Sequence, residues 1–210
     1  MSRSATPPNG RPVVGVLALQ GDFREHLAAL TVCGVASRPV RRPEDLDGLA
    51  GIVLPGGEST TIDKLTRIFE VREPLVAALR AGLPAYGSCA GMILLADRVL
   101  DGLPDQQTFG GLDVTVRRNA FGRQSESFET DVHLRHLAGG PMHAVFIRAP
   151  WVESAGDQVE VLGQVTPPGL DQTRIVAVRQ GALVASAFHP EVTDDLRLHR
   201  YFIDVIRTAG

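Results

Sequence analysis

Gly87-Ser88-Cys89-Ala90-Gly91 places one thiol between two glycines, directly after the strand-forming stretch Leu83-Pro84-Ala85-Tyr86. This spacing fits G-x-Nuc-x-G, a tight strand-to-helix turn that pushes a nucleophile outward. Side chains at the flanking positions would clash with the adjoining strand and helix. Such a turn exposes the sulfur, sets it at a helix N-terminus whose dipole favours a thiolate, and offers the Ala90 N–H as an oxyanion donor. A cysteine nucleophile also needs a base, and the base needs an orienting partner. His189-Pro190-Glu191 supplies both, after the apolar run 183–188. Two residues apart in an extended segment, His189 and Glu191 project to the same side. The carboxylate then holds the imidazole in one tautomer while the other ring nitrogen faces Cys89. Alone, each motif is ambiguous: a cysteine beside glycines can be core packing, and His-Pro-Glu is short. Together they describe acyl transfer by a Cys89, His189, Glu191 triad.

The other candidate residues have less support. His133 and His136 stand three apart, but no carboxylate or cysteine cluster of metal-ligand spacing accompanies them, so they read as surface histidines and no metal site is expected. His26, His143 and His199 have no supporting motif, although His199 lies close enough to the triad in sequence to back it up. Cys33 reads as core packing near a helix end.

Parallel strands buried on both faces should position these groups. Residues 13–19 form a nearly continuous apolar, β-rich run, broken by Gln20-Gly21-Asp22 and followed by helical spacing over 23–33 that Gly34 ends. Strands over 35–40 and 51–54 follow, then the turn Pro55-Gly56-Gly57-Glu58-Ser59 and helices over 60–69 and 73–81. The strand at 83–86 runs into the cysteine turn and a helix reaching Leu100. Segments 113–116, 128–134, 144–147, 159–165, 175–178 and 183–188 are successive strand candidates with few helices between them. A final helix is expected over 194–208, with its first-turn acids set favourably against the helix dipole. Strands alternating with helices predict an α/β fold, doubly wound, with a largely parallel central sheet, helices on both faces and additional antiparallel strands. Both candidate loops, 55–59 and 87–91, fall at the carboxyl ends of strands, where open α/β sheets bind ligands.

With 210 residues and no internal repeat or linker, residues 13–210 read as a single domain and 1–12 as a loose tail. The tail lacks the apolar region of a secretory signal, and no apolar run is long enough to span a bilayer. Two cysteines cannot make a disulfide framework, which points to a reducing cytoplasm. A net charge of −3 gives no electrostatic case for nucleic acid.

The ordered motifs resemble class I, triad-type glutamine amidotransferases. More narrowly, they resemble the glutaminase subunits of pyridoxal 5′-phosphate synthases. The resemblance rests on Leu19-Gln20-Gly21-Asp22, Leu54-Pro55-Gly56-Gly57-Glu58-Ser59-Thr60, Cys89-Ala90-Gly91-Met92-Ile93-Leu94-Leu95 and Phe188-His189-Pro190-Glu191. Arg118-Asn119-Ala120-Phe121-Gly122-Arg123-Gln124 and Val145-Phe146-Ile147-Arg148-Ala149-Pro150, between elbow and histidine, give it specificity. It implies a flavodoxin-like sheet and hydrolysis of L-glutamine through a cysteine thioester without a cofactor. It also implies a hetero-oligomer in which a synthase subunit takes the ammonia. By position, Gly57, Glu58 and Ser59 would line the glutamine pocket, with Gly57 near the oxyanion. Arg118, Ile147 and Arg148 would contact glutamine, and Gln20 would lie near the partner interface. Ser88 and Val192 depart from the commoner threonine and leucine, at positions expected to touch no chemical group. The alternatives are the glutaminase of another biosynthetic amidotransferase and a noncatalytic binding protein on the same fold.

Overall fold

Apolar runs that do not alternate become the inner strands of one sheet. The computed structural model describes residues 12–118, 120 and 127–209. The tail expected over 1–12 lies outside these apart from Pro12, as do Asn119, Phe121, Gly122, Arg123 and Gln124 of the family motif. The chain runs β1 (Val13–Leu17), α1 (Phe23–Val32), β2 (Ala36–Val40), β3 (Gly51–Leu54), α2 (Ser59–Ile68), α3 (Arg72–Arg80), β4 (Ala85–Ser88) and α4 (Ala90–Leu95). It continues through β5 (Ala96–Leu100), β6 (Leu112–Arg117), β7 (Ser127–Val132), β8 (Met142–Ile147), β9 (Trp151–Ala155), β10 (Glu160–Val165), β11 (Arg174–Gln180), β12 (Leu183–Ser186) and α5 (Arg197–Ala209).

The main sheet has the order β2-β1-β3-β4-β12-β11-β9-β6-β5, with β10 added on β11. From β2 to β12 every neighbour is parallel. Beyond β12 the pairing turns antiparallel, except for parallel β5 and β6. β7 and β8 form a separate antiparallel ribbon. Successive strand residues face opposite ways, and β4 shows which helices cover each side. The Tyr86 ring meets His26 of α1 and His199 and Phe202 of α5, whereas Gly87 lies against Gly91 of α4. Helices therefore cover both faces, as a doubly wound sheet requires. No described helix is long and apolar enough to cross a membrane.

Three local expectations need correction. The helix after the cysteine ends at Leu95, and Ala96–Leu100 is strand β5, because the Phe109 and Gly110 N–H groups take the Leu94 carbonyl and β6 pairs alongside. β9 was not anticipated; its five residues gain order from β6 and β11. α5 starts at Arg197 with no acid in its first turn, since Asp195 is taken up by the Arg197 backbone and guanidinium.

After β1 the chain passes through α1 to β2 on one side, and β3 returns on the other side of β1. That reversal opens a crevice beyond the strand ends, the position where such sheets bind ligands. The segments following β1, β3, β4 and β12 converge on it.

Candidate active site

Cys89 is the hinge between β4 and α4. Its backbone sits at φ 46° and ψ −100°, a conformation that a side chain adopts only under constraint. Its N–H donates to the Ser186 carbonyl of β12 at 2.8 Å, and its carbonyl accepts from Ile93 N–H at 3.3 Å. The glycines on either side are sterically required. A Cβ on Gly87 would fall 2.4 Å from the Gly91 carbonyl carbon, and one on Gly91 would fall 2.1 Å from the Leu54 oxygen.

Cys89 forms part of the wall of a cavity of about 360 Å³. His189 follows β12 and is 4% exposed; its Nδ1 lies 2.8 Å from Glu191 Oε1, and the ring also hydrogen-bonds Cys89. Burial disfavours the imidazolium, but the hydrogen bonds to Cys89 and Glu191 and their charges outweigh it, and the His189 pKa is pushed up to about 10. Burial likewise opposes ionisation of Glu191, yet His26 and His189 hold its carboxyl well below the usual range. The arrangement favours a charged imidazolium against an ionised carboxylate.

The sequence-derived residues gather here. Gln20, Gly57, Glu58 and Ser59 line one side of the cavity, and Arg118, Ile147 and Arg148 line another. Ala90 is buried behind them as the first residue of α4. The Gln20 side-chain oxygen accepts from Glu58 N–H at 2.8 Å, tying the loop after β1 to the loop after β3. Glu58 caps α2 through Thr61 N–H and holds Arg118 at 2.7 Å. Partial burial would raise the Glu58 carboxyl, but hydrogen bonds from Thr60 and Thr61 and the Arg118 charge bring it below its ordinary value. Arg148 takes φ 43° at the end of β8.

Several participants were missed from sequence. Asp22 lines the cavity with an oxygen 3.4 Å from His189 Nδ1, and Ile93 closes one side. Gln106 accepts from Arg118 at 2.6 Å and donates to Ser59 at 2.9 Å. Nothing in the spacing of Gln106 marks it. His26 is fully buried behind the triad, its Nε2 3.4 Å from Glu191 Oε2 and 3.0 Å from Ser88 Oγ. Ser88 therefore does touch a chemical group, contrary to expectation. The signal for His26 was available in helical spacing: His26, Ala29 and Leu30 share the buried face of α1. His199 does stand in the same cluster, 2.9 Å from His26. His136 and His143 pair with surface carboxylates.

Among the described residues, one group brings three ligand-type atoms within 4.8 Å of one another: Asp22, His189 and Glu191. A cation there would compete with the Nδ1 proton that joins His189 to Glu191.

A strained cysteine at a strand end, facing a His–Glu pair across the switch point of a mainly parallel sheet, defines the class of triad-type glutamine amidotransferases. Comparison with known proteins narrows the class. The chain belongs to the SNO glutamine amidotransferase family, whose profile matches residues 16–208. It is 60% identical to the pyridoxal 5′-phosphate synthase subunit PdxT of Nocardia farcinica, over all of this chain and 94% of that one. It is 63% identical to the PdxT subunit of Kineococcus radiotolerans, over 93% and 95% of the two chains. A crystal structure described as a glutamine amidotransferase superposes with a TM-score of 0.84 at 48% identity, covering 92% of this chain and 98% of the other.

Proposed function

We propose that this chain hydrolyses L-glutamine to L-glutamate and ammonia as the glutaminase subunit of a pyridoxal 5′-phosphate synthase, acting in the cytoplasm. Residues 13–210 would serve as a single glutaminase domain. The observation that carries the reading is the Cys89–His189–Glu191 array at a cavity the size of a small-molecule site. The Cys89 thiolate attacks the side-chain carbonyl of glutamine, and backbone N–H groups of Gly57 and Ala90 receive the oxyanion. His189 protonates the departing ammonia and then takes a proton from water, which hydrolyses the glutamyl thioester and frees the thiol. Glu191 keeps the imidazole in register throughout. Glu58 and the 147–148 backbone suit the substrate ammonium, and Arg118 and Arg148 suit its carboxylate. Ser59 completes the pocket wall. Every step uses groups of the chain and water.

That the relatives are subunits of pyridoxal 5′-phosphate synthases supports a synthase partner that consumes the ammonia. Gln20 is the candidate relay for that partner, because it grips Glu58 N–H beside Gly57. Glycine turns its peptide at low cost, so a partner pressing on the 20–22 loop could set the oxyanion donor. One missing donor costs roughly 10²–10³ in kcat. The test is ammonia release from glutamine by the full chain, alone and with saturating synthase subunit. Release that rises with the synthase supports the assignment; equal rates would remove the relay, and no release in either sample would remove the glutaminase reading.

A further inference from the structure

Behind the triad, on the side of the sheet covered by α1 and α5, lies a buried polar cluster that the hydrolytic steps do not use. Glu191 has one carboxylate oxygen on His189, whereas Oε2 has no hydrogen-bond partner at ordinary distance. The N–H donor facing Oε2 across 3.4 Å is His26 Nε2, and both side chains are 0% exposed. His26 Nδ1 in turn lies 2.9 Å from His199 Nε2.

The proton positions follow from which atoms are left over. His199 Nδ1 is buried without a partner. A bare ring nitrogen there costs less than an orphaned N–H, which folded proteins rarely tolerate. Burial drives the His199 pKa down to about 3, so the ring is neutral with its single proton on Nε2. That proton is donated to His26 Nδ1, which fixes the His26 proton on Nε2. Ser88 Oγ, at 3.0 Å, shares this donor with Glu191, and the Ser88 hydroxyl can turn to accept.

We propose that His26, oriented by His199, is a positioning residue for the triad: its Nε2–H engages Oε2 of Glu191 and keeps the carboxylate turned onto His189. This rests on the glutaminase reading of the triad. His26 does not line the substrate cavity, so its removal should act on turnover and leave substrate binding alone.

The test measures glutamine hydrolysis by the full chain in complex with the synthase subunit, for His26→Leu, His26→Gln, His26→Asn, Glu191→Ala and the double variant His26→Leu/Glu191→Ala. Glutamine can place an amide N–H where imidazole Nε2 stood, whereas asparagine reaches only the Nδ1 position. His26→Leu is expected to lower kcat roughly ten- to a hundredfold, the effect of one hydrogen bond to a charged group, with the glutamine KM unchanged. His26→Gln should recover most of the loss and His26→Asn should not. The double variant should be no slower than Glu191→Ala, since the two act through one carboxylate. A His26→Leu enzyme with wild-type kcat beside an impaired Glu191→Ala would overturn the proposal, as would a His26→Leu loss that persists in full on the Glu191→Ala background. If leucine prevents folding, equal kcat in the glutamine and asparagine variants overturns it. Wild-type activity in Glu191→Ala would instead defeat the triad reading itself.

Discussion

His189 sits between two acidic partners, the sulfur in front and a buried carboxylate behind, and that placement makes it a pH-sensitive element of stability. Its folded pKa of about 10 lies above its ordinary 6.5. The stabilisation it gives is therefore complete below pH 6.5 and is lost as pH rises through about 10. Glu191 has the opposite sign, and its contribution is lost on acidification below the ordinary carboxylate range. The gap in Tm between the native chain and His189→Gln should shrink between pH 6.5 and pH 10, as read by thermal unfolding in matched buffers. A constant gap would mean that the imidazole is not held charged. At this scale the grouping of Cys89, His189 and Glu191 was legible in sequence because its two halves carry their own local signatures, a glycine-flanked thiol and a His-x-Glu after a strand. His26 carried none that pointed at Glu191. Its contacts join helices far apart in the chain, His199 standing 173 positions further on, and only the folded sheet brings them together.

The elbow shows how an element can override residue preference. Gly91 lies in helix α4, where alanine is the better helix former by about 1 kcal/mol. Its ideal Cβ, however, would sit 2.1 Å from the Leu54 backbone oxygen of β3, which no rotamer change can relieve. Gly91→Ala should therefore destabilise the protein by about 3 kcal/mol, the upper range for overpacking. Urea denaturation would read this as a lower midpoint; a midpoint equal to or above that of the native chain would show that helix propensity wins. Local patterning located β1 to β4 and α1 to α3 to within a few residues because each is a single run with a clear stop. It failed where partners decide. Leu94-Leu95-Ala96-Asp97-Arg98-Val99-Leu100 can continue a helix by its spacing, but pairing with β6 takes its second half into the sheet. β9 is short, with buried residues only at its start, and depends on neighbours on both sides.

At the scale of the molecule, sheet order does the assembly. Placing β3 and β2 on opposite sides of β1 leaves the crevice into which the ends of β1, β3, β4 and β12 deliver Gln20, Gly57, Cys89 and His189. The antiparallel half adds Arg118 after β6, and the β7–β8 ribbon adds Ile147 and Arg148, so the pocket draws on both parts of the chain. The α/β class was readable from alternating elements; the order that makes the crevice is a property of long-range pairing. Cleavage of glutamine through a thioester on Cys89 underlies every step proposed for this crevice. Its most direct measurement is acid quenching of the full chain with its synthase subunit during turnover of glutamine, followed by mass spectrometry of the peptides. One glutamyl group is expected on the peptide carrying Cys89, absent from Cys89→Ala, which should also lose about 10⁴–10⁶ in rate. Sustained ammonia release by Cys89→Ala at the native rate, with no glutamyl group on the native Cys89, would contradict it.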